Sequence, residues 1–241
     1  MFQKNYIFGS LILIAGERGQ NMNLQIRPLR GIMKPNEYSD QLKLAEGYSR
    51  YKLHIFILFA VSILLYAVNS FFGVGTESLS KELISANTEE WLARSQLFLI
   101  GSLLAGAVAA CIFLFLSSLY YWSFLQVDFQ RIVIVQMSIF ILIKKEKALQ
   151  IPMYISMDIG DTSNILSLGI VAQYISDSEI FIHFLSQITL LRIGMFALSY
   201  HYLKKLSEIS RKTLLIVIAF LFLFYWVGAG LLSYIKIGIF F

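Results

Sequence analysis

The sequence is poor in the residues that build disulfides and metal sites. It has one cysteine, three histidines and three prolines in 241 residues. Because Cys111 stands alone, no disulfide and no cysteine-based metal site can form within the chain. The histidines, His54, His183 and His201, show no metal-ligand spacing. The sequence therefore predicts no metal site.

Charged residues are scarce as well. They make up 15% of the chain, against 57% hydrophobic residues, which leaves too little polar surface for a soluble domain of this size. The formal net charge is +5, and the basic residues are spread over loops instead of forming one face. This spread argues against a nucleic-acid interface.

Motifs of common enzymes and nucleotide-binding proteins are also missing. There is no P-loop, GxGxxG, HExxH or GxSxG sequence. Asp158 and Asp161 form a lone DxxD pair that could hold a divalent ion with a phosphate substrate, but the second acidic motif that such chemistry needs is absent. We therefore expect no enzymatic activity and no cofactor.

Long apolar runs dominate the sequence. Three of them lack any charged side chain and exceed the ~20 residues that cross a bilayer core, namely residues 53–75, 96–119 and 213–235. A fourth run, residues 180–203, contains one charge, Arg192, near its middle. With a weaker crossing between the second and fourth runs, the sequence predicts an all-α polytopic membrane bundle of about five transmembrane helices.

The weak third crossing begins with the short apolar run Ile132–Ile143. The basic cluster Lys144–Lys147 follows it directly, and burial at the bilayer centre would cost about 2.5–3.5 kcal/mol per lysine. A straight helix through this cluster is therefore not expected. A short, broken or shielded helix around Pro152 is expected instead, with residues 163–175 dipping into the outer leaflet or adding a half-span.

Loop charges predict the orientation, because the cytoplasmic loops of membrane proteins carry an excess of Lys and Arg, which we call the charge rule. Residues 22–52 are basic and should be cytoplasmic, as should the turn with Lys204, Lys205, Arg211 and Lys212. Residues 76–95 are acidic, as expected for an external loop, and could form an amphipathic helix on the outer leaflet. Five spans with a cytoplasmic N-terminus then satisfy the charge rule, except at Lys144–Lys147.

The chain divides into three parts. Residues 1–21 are either a mis-assigned start, with Met22 as the true first residue, or a short helix at the membrane surface. Residues 22–52 form a cytoplasmic arm in which an extended stretch should precede a helix that starts near Asn36 and enters the bilayer. This arm is either a solvated lead-in or a docking arm for a partner or anionic lipid. Residues 53–241 form the transmembrane domain.

Arg192 is the main candidate for a functional side chain, because ionisable residues within a span are usually functional. On a helix it shares a face with Thr189 and Ser199, so a polar site for an anionic substrate is one interpretation. The other is a structural arginine bonded to a neighbour such as Asn69 or Gln136.

The second apolar run also contains small residues at spacings of three and four. Such a stripe allows helices to pack closely within a bundle. Its members are Gly101, Ala105, Gly106, Ala109 and Ala110.

The order of these segments resembles the Ypt-interacting-protein (Yip) family, bacterial branch. The resemblance covers roughly residues 25–235 and rests most on Phe184–Leu191 and on the basic, serine-containing turn Leu203–Lys212 before the last span. Where many members have tryptophan three residues after the phenylalanine, this chain has Gln187. The resemblance implies a non-enzymatic accessory or assembly partner of other membrane proteins, with ABC transporter subunits as candidate partners. A small transporter or permease subunit for an anionic substrate is the alternative.

Overall fold

The computed structural model describes residues 23–72, 88–157 and 167–234, which are almost entirely helical. The predicted all-α fold is therefore confirmed. The predictions for residues 1–21, for Asp158 and Asp161 and for most of the acidic loop lie outside the described residues.

The arm, residues 23–50, folds into short elements that pack against the bundle. It consists of β1 (Asn23–Gln25), α1 (Pro28–Met33), α2 (Pro35–Leu44) and β2 (Gly47–Ser49), and the two strands pair in parallel. Proline occupies the first position of both helices, where its missing N–H costs nothing. The predicted helix from Asn36 into the bilayer is wrong, since α2 ends before Ala45 takes an extended conformation.

The first apolar run forms α3 (Tyr51–Phe71), which pairs with α4 (Thr88–Cys111) as an antiparallel hairpin. The Ser62 hydroxyl donates a 2.7 Å hydrogen bond to the Gly106 carbonyl. A Cβ atom at position 106 would lie 3.1 Å from the Ile63 Cα, so glycine permits this close contact. A π-helical turn, Ile112–Leu116, joins α4 to α5 (Ser117–Leu125).

The central helix is α6 (Phe129–Met157), which runs parallel to α3. Arg131 donates to the Tyr48 hydroxyl at 2.8 Å near the start of α3, and Lys144 lies over the Tyr66 ring farther along. Every residue from 132 to 140 is buried. The prediction of a short or broken helix is wrong, because α6 is continuous through the lysines and Pro152. The lysines lie level with the last turns of α3 and not with its middle, so the expected cost of mid-bilayer burial does not apply.

The C-terminal part contains α7 (Gly169–Ile175), α8 (Glu179–Ser186), α9 (Leu190–Leu206) and α10 (Arg211–Tyr234). The predicted single span over residues 180–203 is wrong. The helix breaks between α8 and α9, where the Leu168 amide donates to the Ile188 carbonyl and Ser167 pairs with Thr189. α9 then packs on both α6 and α10.

Three helices of the described residues are long and apolar enough to cross a membrane, namely Tyr51–Phe71, Leu92–Leu125 and Arg211–Leu231. The chain is thus an integral membrane protein, and its described residues contain three apolar spans of this kind rather than the predicted five. α6 is charged at both Arg131 and Lys144–Lys147, and α9 has 17 residues with charges near each end. Both nevertheless run alongside the apolar spans from one end of the bundle to the other, and both pack against them.

Candidate functional site

Charged and polar side chains gather at one end of the bundle, which we call the far end because the arm packs at the other. Here α3 ends, α6 passes and α9 begins. The polar cluster consists of Tyr66, Asn69, Lys144, Glu146, Lys147, Thr189 and Arg192.

Arg192 lies in the first turn of α9, not in the middle of a span. The Thr189 hydroxyl caps this helix by accepting a 3.2 Å hydrogen bond from the Arg192 amide. The guanidinium group donates to the Gln187 carbonyl oxygen at the helix break. Its hydrogen-bond acceptor is therefore a main-chain oxygen exposed by that break, rather than Asn69 or Gln136.

Glu146 is the acidic member of the cluster. Its residue is 5% exposed and its Oε1 has no hydrogen-bond partner. The carboxylate acts electrostatically on Arg192, from the α6 helix against which α9 packs. Since burying an unpaired charge is costly, Arg192 is the natural compensating charge for Glu146.

Ser199 does not belong to this cluster. It lies two turns further along α9, buried, and its hydroxyl donates to the Met195 carbonyl at 2.8 Å. Such a bond satisfies the hydroxyl within its own helix. The structure thus brings Arg192 and Thr189 together and leaves Ser199 apart.

Lys144 and Lys147 occupy the α6 face that points to α3. The Lys144 ammonium lies 4.5 Å from the Phe140 ring centroid and 5.1 Å from that of Tyr66, and the Lys147 ammonium lies 5.2 Å from the Tyr66 centroid. Sequence reasoning treated these lysines only as a violation of the charge rule. The signal available was their spacing with Phe140, at i, i+4 and i+7, which places all three on one helix face.

The small-residue stripe of α4 divides into two parts. Gly106 and Ala110 are buried in the bundle, and Ala109 is half-buried. Gly101 has no atom within 4 Å of the position that a Cβ would take, and Ala105 is exposed. Packing against α3 therefore uses the face of Gly106 and not that of Gly101.

Within the described ranges, no three His, Cys, Asp or Glu side chains come together as metal ligands. The cationic groups of the polar cluster suit an anion far better than a cation. Comparisons with protein-family models, with curated proteins and with solved structures gave no match.

Proposed function

We propose that this chain is a non-enzymatic accessory or assembly partner of other membrane proteins. The bacterial cell membrane is its proposed location, the N-terminus is proposed to be cytoplasmic, and an ABC-type exporter is the proposed partner. The resemblance to the Yip family supports this role. The structure adds support through the arm.

The arm is held firmly against the bundle. The Tyr202 hydroxyl donates to the Gly31 carbonyl at 2.8 Å, and the Lys205 ammonium contacts the Asp40 carboxylate at 2.9 Å. On the opposite side of the arm, the Arg131 guanidinium donates to the Ala45 carbonyl at 3.1 Å. The arm is thus a fixed platform rather than a solvated lead-in.

This platform presents apolar side chains outward, which is the main observation that supports the proposal. Met33 is 83% exposed and Leu29 57% exposed, one turn apart on α1, with Arg27, Arg30 and Lys34 around them. Exposed apolar groups on a rigid element with a polar rim are typical of contact surfaces. A membrane-protein partner with an acidic border around an apolar groove would fit this surface.

The transporter alternative has less support. The Arg192 guanidinium already donates to a main-chain carbonyl and lies near Glu146, which leaves less of its charge for a substrate. The described residues also lack the paired broken helices that line many transporter sites.

A photo-crosslinking amino acid at Met33 tests the proposal. In intact membranes it should capture a specific membrane protein, whereas the same group at Lys43, which is exposed on the same arm, should not. Met33→Ser should then weaken co-purification of that protein in mild detergent. If position 33 crosslinks lipid alone, and Met33→Ser changes no co-purified protein, the arm has no protein partner.

A further inference from the structure

Lys144 is a buried cation without an oppositely charged partner in the described helices. Its residue is only 6% exposed, and its ammonium has neither a hydrogen bond nor an ion pair among the described residues. Its contacts are the faces of two aromatic rings. Cation–π contacts recover only part of what an ammonium loses when it leaves water. The site therefore holds more positive charge than its neighbours neutralise.

Lys147 makes the imbalance larger. Its ammonium lies over the same Tyr66 ring as that of Lys144, at nearly the same distance. Two like charges that converge on one ring repel each other, and the electrostatic effect of Lys147 on Lys144 is unfavourable to the charged form. An arrangement of this kind is stable when a third group of opposite charge joins the two.

Glu146 does not supply that charge. On a helix, residues 144 and 147 share a face, whereas residue 146 points to the other side. The Glu146 carboxylate acts on Arg192, and the charged neighbour that acts on Lys144 is Lys147. The pair of lysines and the Glu146–Arg192 pair are thus separate parts of the polar cluster.

A further polar group lies on the α3 face that carries Tyr66. Asn69 follows Tyr66 by one turn of α3, on the same face, and its buried Oδ1 has no hydrogen-bond partner. That oxygen can accept from a bound water, whereas a phosphodiester has no hydrogen to donate to it. The Asn69 amide group can donate to an anion through its nitrogen.

We propose that Lys144, Lys147 and Asn69 bind a phosphate group between α3 and α6. Tyr66 lies five residues before the end of α3 at Phe71, close to the level at which phospholipid headgroups begin. The phosphate of an anionic phospholipid can reach this level, and free inorganic phosphate offers the same chemistry. Binding of an anion accounts for the presence of Lys144 and Lys147 at a position that breaks the charge rule.

Native mass spectrometry of the full chain tests the proposal. The protein is released from nanodiscs of phosphatidylglycerol and phosphatidylcholine, and retained lipid is counted. Lys144→Met and Lys147→Met should each lower retention of phosphatidylglycerol about tenfold, as expected for loss of a charge-assisted contact. Lys145→Met is the matched control, because Lys145 is exposed on the same turn. It should retain lipid like the unchanged protein.

A second measurement separates the two sources of phosphate. In lipid-free detergent, inorganic phosphate should raise the melting temperature above that in chloride at equal ionic strength if free phosphate binds. Only lipid retention should respond if the headgroup is the ligand. Lys147 is only half-buried, so Lys147→Met should fold even if Lys144→Met does not. Lipid retention by Lys147→Met then tests the proposal. The proposal is overturned if neither ligand binds, or if Lys145→Met lowers binding as much as Lys147→Met.

Discussion

The Tyr202 hydroxyl donates a 2.8 Å hydrogen bond to the carbonyl oxygen of Gly31, a residue 171 positions earlier in the chain. This bond joins the arm to α9. The Tyr202 ring also meets the Tyr38 ring edge-on, with 6.4 Å between centroids. The arm is therefore part of the bundle's buried core and not an appendage to it.

Gly31→Ala should release the arm. A Cβ atom there would lie 2.6 Å from the Ser138 hydroxyl oxygen and 2.9 Å from that of Tyr202, so either these side chains or the arm must shift. Overpacking of this kind costs about 1–3 kcal/mol. Thermal unfolding in detergent and the rate of trypsin cleavage after Arg30 measure the effect, since Arg27 and Lys34 each precede a proline.

Gly101→Ala is the matched control, because position 101 has open space around it within a helix. Alanine there should be neutral, or stabilising by up to about 1 kcal/mol through its helix propensity. Equal melting temperatures for the two variants would contradict the close contact at Gly31.

The arm should loosen at alkaline pH through Tyr38. Burial raises the pKa of this tyrosine, so the folded state favours the neutral phenol. That contribution to stability is fully present below the unfolded pKa of about 10 and is lost as pH rises through the raised folded value. Cleavage of the arm by a protease that stays active at alkaline pH, such as subtilisin, should accelerate above about pH 10.

Tyr38→Phe should remove part of this pH dependence. Burial also raises the pKa of Tyr48 in the same arm, so part of the pH dependence should remain. An unchanged cleavage profile for Tyr38→Phe would show that Tyr38 does not control the opening.

The proposed orientation can be checked with cysteines in a Cys111→Ser background. Tyr174 is exposed at the far end, and Glu208 is exposed in the turn between α9 and α10. Tyr174→Cys should react with a membrane-impermeant maleimide added to intact cells, while Glu208→Cys should react only after lysis. Labelling of both from outside would contradict a cytoplasmic arm.

Residue patterns predicted the three spans well, because a charge-free run longer than the bilayer core has few other stable conformations. They failed for α6. In the fold, Lys144 lies over the Tyr66 ring of α3, and residues 132–140 are buried by the arm, α4 and α9. These are contacts between segments distant in sequence, which hydrophobicity along the chain does not report.

The polar cluster was predicted only in part. Arg192 stood out as a lone charge in an apolar run, and Thr189 followed from helical spacing. The break between α8 and α9 was missed, because Gln187–Thr189 contains neither glycine nor proline. That break supplies the Gln187 carbonyl for Arg192. Ser199 lies outside the cluster because it is two turns further along the same helix.

Arg192 and Glu146 should behave as a coupled pair. Arg192→Leu removes the charge near a buried carboxylate and leaves the Gln187 carbonyl without its donor, so stability should fall by about 1–3 kcal/mol. Glu146→Gln removes the charge that needs compensation. The double variant should therefore be more stable than the sum of the two single effects predicts, by about 0.5–3 kcal/mol.

Thermal unfolding of the four proteins in detergent gives this coupling energy. Arg211→Leu, at an exposed position of α10, controls for the general effect of losing an arginine. Additive effects would show that the two side chains do not compensate each other. A different outcome would favour the transporter. In that outcome, Arg192→Leu keeps normal abundance and stability but loses uptake or export of a defined anion. The arginine would then bind a substrate rather than hold the bundle together.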